Sequence, residues 1–477
     1  MSKLFYTRRD IEAMAGNGIT VLYLAENVTL PLEAQEMAQK LGVQVLKQPP
    51  TPPALARKPG QVPDLQSRAR NLGPSWFDDL VPPNVDVSRL RLSRLARVRA
   101  EMEKVDCAAC VLVDAVNIRY ATDSRNMQVF TSRNPARYIF IPLAGPVILF
   151  EFEGCHHLAK GLETIDEIRP AITVSYVASG PRVYERARQW ADQIGELMRQ
   201  YGGGNRRIGL ERVNSAAAMA LAEQGFEIID AQEPVERARA IKTLDELECI
   251  RWSLRVVEGG VHRMRQALQP GMTENALWSV LHQSVIQNDS DYIETRLLSS
   301  GPRTNPWFQE TSMRQIEASD LVALDTDVVG PFGYYADFSR TFFCGTGQPS
   351  EAQRLLYKLA YEQIHHNMDI IKPGMTFKEV AAKGWGIPEP YLKNRYFVLA
   401  HGVGMTGEYP YILHSIDFDE AYDGLIEPNM TLCLESYIGA EDGQEGIKLE
   451  QQVLVAETGV ELLSHFPFEQ DLLGREI

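Results

Sequence analysis

A chain of 477 residues, 44% hydrophobic and 23% charged, has the composition of a folded globular protein with room for about two to four domains, and is neither disordered nor fibrous. Its 48 basic residues face 63 acidic ones, a net charge of −15 with no basic tract to offset it, so nucleic acid is not an expected partner. No run reaches the ~18–20 apolar residues of a membrane helix and the opening residues lack the apolar stretch of a secretion signal, so a cytoplasmic protein without a membrane span is expected.

Changes of hydrophobic period predict a helix from Arg9 to Gly16, a strand from Ile19 to Leu24, a helix from Leu30 to Leu41 and a strand from Val43 to Leu46. Residues 1–48 thus read as a small α/β appendage, which carries no catalytic constellation and suits docking or assembly. Pro49-Pro50-Thr51-Pro52-Pro53, Lys58-Pro59-Gly60 and Pro82-Pro83 favour an extended chain, which places a linker over residues 49–88. Helices (Arg89 to Val105, Pro181 to Tyr201) then alternate with short apolar strands (Ala108 to Val113, Tyr138 to Ile141, Val147 to Phe152), the pattern of an α/β domain over residues 89–236. A long helical run after Ile241-Lys242 opens a second domain over residues 237–477, where strands are expected at Leu321 to Val329 and Phe338 to Phe343 and a helix at Glu351 to Ile371. There is no internal repeat of solenoid period.

The six cysteines are scattered, which fits a reducing compartment and not a disulfide framework. Cys107-Ala108-Ala109-Cys110 has redox or zinc spacing, but it runs straight into Val111 to Val113 and has no second pair, so it reads as a buried strand with small residues.

The second half holds Asp325, Asp327, Asp337, His401, Glu435 and Glu450, each carboxylate on or beside an apolar strand-like stretch. Desolvating an unpaired carboxylate costs several kcal/mol or more, and a divalent cation is the simplest partner. Hard oxygens with one imidazole can hold two metals ~3.5–4 Å apart and suit Mn, Fe or Co better than a thiolate site does. Singly, each acid reads more readily as a solvated strand-face residue than as a ligand.

The order Asp325, Asp337, His401, Glu435, Glu450, together with His401-Gly402-Val403-Gly404 and Arg239-Ala240-Ile241-Lys242-Thr243-Leu244-Asp245-Glu246, resembles the five-ligand signature of the pita-bread metalloenzymes, the family of methionine aminopeptidase, prolidase, aminopeptidase P and creatinase. The resemblance runs from about residue 89 to the end and implies a creatinase-like amino-terminal domain, an α+β pita-bread catalytic domain and two divalent metal ions.

Two departures separate the chain from the peptidases. Where those carry a histidine after the proline of the segment Ser300 to Pro306 this chain has Trp307, and where they carry His-Glu-x-Pro it reads Gly407-Glu408-Tyr409-Pro410. Such histidines stabilise the charge of amide hydrolysis. His414 is the remaining candidate substitute. The same segments, with Asn117 to Ser124, Asn126-Met127-Gln128, Ile293 to Leu298, Trp307-Phe308-Gln309-Glu310 and Lys448-Leu449-Glu450, are similar to the dimethylsulfoniopropionate lyases of pita-bread type. That branch implies an iron-type centre (Mn, Co or Zn as alternatives) with Asp327 as a further candidate ligand, a small zwitterionic onium carboxylate as substrate, and a homodimer. The lyases carry an aspartate where this chain has Gly407, so the base is expected to be Asp327, Glu408 or a metal-bound hydroxide, or else the reaction differs.

Trp307, Phe308, Tyr409 and Tyr411 offer ring faces to an onium group, and Arg296 and Arg303 offer two-pronged hydrogen bonds to a substrate carboxylate, with core packing and local salt bridges as the competing roles. The leading expectation is a metal-dependent lyase on such a substrate. A hydrolase of Xaa-Pro dipeptidase or creatinase kind and a non-catalytic binding or assembly protein are the alternatives.

Overall fold

A computed structural model of the protein describes residues 7–16, 21–24, 29–47 and 83–474. It divides into two compact units, residues 1–63 and 64–477. In the first, helices Arg8–Gly16 and Leu32–Lys40 accompany a parallel pair of strands, β1 (Val21–Leu24) and β2 (Gln44–Lys47). Ile11, Leu22, Ala34 and Met37 form its small core. The expected strand residues 19 and 20, and the proline-rich stretch up to residue 82, lie outside the described residues.

The second unit opens with helix Val87–Lys104, two residues earlier than its pattern suggests, because Asp86 caps it by accepting from the Arg89 amide. A six-stranded sheet follows in the order β6 (Glu167–Pro170), β5 (Ile148–Glu151), β4 (Tyr138–Pro142), β3 (Ala109–Leu112), β7 (Arg207–Leu210), β8 (Glu227–Asp230). Its central strands are buried on both faces, which is why they read as unbroken apolar runs. Cys110, Leu112 and Ile139 pack toward Leu95, Val98 and Met102 of helix Val87–Lys104. Val111, Phe140 and Phe150 pack toward Trp190 and Ile194 of helix Val183–Tyr201. Cys107 and Cys110 are buried free thiols with Sγ atoms 3.6 Å apart.

Helix Leu244–Ala267 starts at a capping box, in which the Thr243 hydroxyl accepts from the Glu246 amide and the Glu246 carboxylate accepts from the Thr243 amide. Beyond it lies an antiparallel sheet in the order β16 (Gly407–Ile412), β15 (Ala400–Val403), β17 (Thr431–Ile438), β18 (Ile447–Val455), β19 (Val460–Leu462). Two smaller sheets join it, β10 (Leu298–Ser300), β11 (Leu321–Asp325), β14 (Ser339–Phe343) and β13 (Tyr335–Ala336), β12 (Val328–Val329), β9 (Tyr292–Ile293).

The period of two divides β17 and β18 into two faces. Leu432, Leu434, Ile447, Leu449 and Val453 face helix Glu351–Ile370 through Tyr357, Ala360 and Ile364. Cys433, Glu435, Lys448, Glu450 and Gln452 alternate with them and turn to the other side, where they are buried as well. The expected strand from Leu321 to Val329 is broken in two: Asp327 takes a left-handed φ of 42°, so β11 ends at Asp325 and β12 starts at Val328.

Candidate metal centre

Strand pairing gathers the acids. Glu435 and Glu450 are directly opposite on β17 and β18, and His401 of β15 is opposite Cys433 of β17. Like charges in register repel, so this arrangement calls for a cation between them. Asp325 ends β11 opposite Ser339, and Asp337 lies between β13 and β14.

Ligand-capable atoms converge in two overlapping groups, Asp337, His401, Cys433, Glu450 and Asp325, Asp327, Asp337, each with its atoms within 4.8 Å of one another. Asp337 belongs to both, the position of a bridging ligand. The His401 Nε2 atom is 3.4 Å from Glu435 Oε1, 3.7 Å from Glu450 Oε1 and 3.8 Å from Asp337 Oδ2. Its Nδ1 atom is 2.9 Å from the Gly402 carbonyl, which only accepts, so Nδ1 carries the proton and Nε2 is left to face the carboxylates. Asp337 Oδ1 and Glu450 Oε1 are buried without a hydrogen-bond partner. Native structures seldom leave such atoms orphaned, and a divalent cation satisfies both.

Burial pushes the Asp325 carboxyl up to about 6, even with Lys448 pulling it down, and burial together with Asp325 pushes Asp327 up to about 7. Asp337 goes well above the carboxylate range, through burial and then the charges of Glu450 and Asp327. Burial pulls the His401 imidazolium down, yet Glu435 and Glu450, with Asp337 behind them, carry it well above the usual value. Such shifts belong to a site in which carboxylates share too little positive charge. The Tyr335 hydroxyl lies between the carboxylates of Asp327 (3.0 Å) and Glu294 (3.1 Å), and the Thr295 hydroxyl donates to Asp327.

Lys448 supplies one internal positive charge. Its ammonium donates to Ser339 Oγ (2.6 Å), Glu435 (2.7 Å) and Glu450 (3.1 Å) and lies 3.3 Å from Asp325. Burial opposes that charge, but the three carboxylates win and raise its pKa well above the ordinary lysine value. The rings of Tyr396 and Trp307 cover it at 4.7 and 5.9 Å. Five carboxylates (Asp325, Asp327, Asp337, Glu435, Glu450) against one ammonium leave four negative charges, the complement of two divalent ions. The residues present therefore fit a two-metal site. Lys448, Ser339, Tyr335 and Cys433 belong to this cluster, and sequence reasoning gave them no role; the available signal was that Lys448 precedes Glu450 by two on one strand and so shares its face.

Four sequence expectations are corrected. Glu408 is not free to act as a base: its carboxylate is buried between Arg239 (2.9 Å) and Lys242 (2.5 Å), because register with β15 turns it into the space that a Cβ on Gly404 would occupy. Tyr409 points to the opposite side of β16 from His401 and stacks on Tyr422, whereas Tyr411 faces the His401 ring at 5.8 Å. Arg303 is held by Glu274 and the Glu310 carbonyl, and Arg296 pairs with Glu310 at the surface, so neither guanidinium is free for a substrate carboxylate. His414 is also unsuited to replace a peptidase histidine, being buried with Nε2 against the Tyr396 carbonyl. Trp307 does lie over the cluster, and its buried indole Nε1 has no partner.

Residues 94–241 match the creatinase/prolidase N-terminal domain and residues 248–457 match metallopeptidase family M24. The dimethylsulfoniopropionate lyase DddP of Roseovarius nubinhibens is 36% identical over 399 residues, 82% of this chain and 89% of that protein, and the one from Roseobacter denitrificans is 35% identical over the same shares. Among solved structures, an Xaa-Pro dipeptidase from Bacillus anthracis superposes with a TM-score of 0.63 at 19% identity, covering 80% of this chain and 99% of that one, a likeness of fold. None of the described helices is long and apolar enough to cross a membrane. A creatinase-like sheet domain joined to an antiparallel sheet that gathers carboxylates and one histidine is the pita-bread architecture, and the chain belongs to that metalloenzyme family, family M24, near its dimethylsulfoniopropionate lyase branch.

Proposed function

We propose that this enzyme is a metal-dependent lyase that removes a proton beside the carboxylate of a small onium carboxylate, of the dimethylsulfoniopropionate kind, and expels the thioether. The reading is carried by the coincidence of extended similarity to two lyases with a cluster in which Asp337 Oδ1 and Glu450 Oε1 lack partners. Asp325, Asp327, Asp337, His401, Glu435 and Glu450 hold two divalent ions, iron in the cytoplasm, where a homodimer is the working form. Bound there, the ions supply Lewis acidity toward the substrate carboxylate.

The protein's own groups do the rest. Glu408 is neutralised by Arg239 and Lys242, so Asp327, which bound metal would keep deprotonated beside the Tyr335 hydroxyl, is the carboxylate we assign as base. Trp307 and Tyr396 roof the cluster and cover the Lys448 ammonium, and the exposed Tyr411 ring beside His401 is the face we assign to the onium group. Residues 1–48 and 49–88 serve as appendage and linker to the domains of residues 89–236 and 237–477.

The fold likeness to an Xaa-Pro dipeptidase favours a hydrolase as the second reading. Trp307 and Gly407, in the places of the two peptidase histidines, weigh against it. Iron-loaded protein offered dimethylsulfoniopropionate and Xaa-Pro dipeptides separates the two: a lyase releases dimethyl sulfide without consuming water, a hydrolase leaves the first substrate intact and cleaves the second.

A further inference from the structure

Three glycines stand close together after His401, and they are not alike. A Cβ on Gly402 would run into the backbone carbonyls of Tyr409 and Glu408, and one on Gly404 into the Glu408 carboxylate, so packing imposes both. At Gly407 a Cβ would meet nothing nearer than His401 Nδ1 at 3.7 Å and the Tyr411 hydroxyl at 4.0 Å, both ordinary contacts. Gly407 is also absent from the residues of left-handed φ. Neither the backbone nor the packing therefore requires glycine here.

What the missing side chain preserves is space. Gly407 lines a cavity of about 350 Å³ between the two halves of the unit, walled by Asp114, Asn117 and Glu211 on the creatinase-like side and by Tyr292, Glu294 and Thr406 on the catalytic side. That volume lies within the ~300–1,000 Å³ of small-molecule sites, and a junction of domains is a usual place for one. The cavity borders the metal cluster twice, through Gly407 against the His401 ring and through Glu294, which shares the Tyr335 hydroxyl with Asp327.

The wall is polar. Among the described residues it carries the carboxylates of Asp114, Glu211, Asp230, Glu236 and Glu294 and the guanidinium groups of Arg212 and Arg239. Arg239 is also claimed by Glu408 from behind the wall, at 2.6 Å, and Arg212 is taken by Asp114. Each of these carboxylates already accepts from a neighbour within the protein, as Glu211 does from the Asp114 amide and the Asn117 amide group, but five carboxylates against two guanidinium groups leave an excess of negative charge, so an anionic group would be repelled there and a cationic or hydrogen-bond-donating one favoured.

We propose that this cavity is a second subsite of the active centre, kept open by Gly407, which takes the distal part of a substrate longer than dimethylsulfoniopropionate: an extension that donates hydrogen bonds and bears no negative charge. This rests on the metal cluster being the reaction centre. It makes Gly407 a specificity-determining residue.

The test uses the metal-loaded full chain and calorimetric binding of dimethylsulfoniopropionate and three analogues in which one S-methyl is replaced by 4-aminobutyl, pentyl or 4-carboxybutyl. The 4-aminobutyl compound should bind about tenfold more tightly than dimethylsulfoniopropionate, and the 4-carboxybutyl compound no better than it. Gly407→Leu should abolish that gain at unchanged metal content; should that variant not fold, Ser132→Trp at the exposed rim of the same cavity should do so. A gain that survives both fillings, or one equally large for the carboxylate-tailed analogue, would overturn the proposal. Thioether release from the same samples is scored separately. If the amine gain appears and is lost on filling while no thioether is released, the subsite stands and the lyase reading falls; if dimethyl sulfide is released but the amine adds nothing, the subsite falls and the lyase reading stands.

Discussion

Glu408 and Asp327 are both carboxylates next to strand residues, and their surroundings give them opposite characters. Glu408 is wrapped by two cations, and breaking a buried pair by neutralising one member typically costs about 3–5 kcal/mol. Glu408→Gln should therefore lower stability in denaturant titration by that order, while turnover per folded, metal-loaded molecule changes by less than the ~100-fold that loss of a general base brings. A collapse of turnover without loss of stability would restore Glu408 as the base. Asp325 and Asp327 make a second prediction, since burial pushes their carboxyls up to about 6 and about 7 in the metal-free protein. Metal ions require both deprotonated, as they do Asp337, which burial and the neighbouring carboxylates hold protonated, and His401, which against the pull of burial those carboxylates keep protonated, so binding at pH 7 should release protons and affinity should fall as pH drops. Calorimetry in two buffers of different ionisation enthalpy measures this; a pH-independent affinity would contradict it. These characters were hidden in the sequence because the fold sets them: Arg239 and Lys242 close on Glu408, while burial and the charge of Asp325 raise Asp327 against the opposing hydrogen bonds of Thr295 and Tyr335.

Strand register is what brings the cluster together, and it explains which parts were legible. His401 and the carboxylates stand out by type on apolar strands, so the ligand set could be named from the chain. Lys448 did not stand out, because its meaning comes from Asp325, Glu435 and Glu450 arriving from β11, β17 and β18. The break between β11 and β12 was missed for a similar reason: Leu321 to Val329 is apolar enough for one strand, and the left-handed backbone at Asp327 leaves no periodic trace. Because Glu450 lies opposite Glu435 and beside His401, Glu450→Ala should lose at least one metal per chain by elemental analysis, as should Asp337→Ala; unchanged stoichiometry in both would refute the two-ion assignment. The 300–312 loop has its own clamp. Glu274, buried at the start of helix Glu274–Gln287, accepts from the amide and hydroxyl of Ser300 and of Ser312 and from Arg303, and so fixes both ends of the segment carrying Trp307. Glu274→Gln should cost about tenfold or more in kcat/KM at full metal content, mainly in KM, and Glu274→Asp should recover part of it; an unchanged KM would show that Trp307 does not need this anchor.

At the scale of the whole molecule, the layers follow from composition more directly than the site does. The creatinase-like sheet is covered on both faces, and its strands announce themselves as apolar runs. The antiparallel sheet has one apolar face under helix Glu351–Ile370 and one face of buried polar groups, so its strands mix the two kinds of residue in a period of two. A fold that buries a whole face of charge is stable only with compensating cations, which ties the architecture to metal and the metal to chemistry. The chemistry we assign to that metal is elimination. Its most direct test is headspace detection of dimethyl sulfide from the purified, iron-loaded protein supplied with dimethylsulfoniopropionate, alongside the same protein after chelation. An eliminating enzyme releases dimethyl sulfide in a metal-dependent way with one equivalent of the unsaturated acid and leaves Xaa-Pro dipeptides uncleaved; silence in the headspace together with robust dipeptide hydrolysis would rule elimination out.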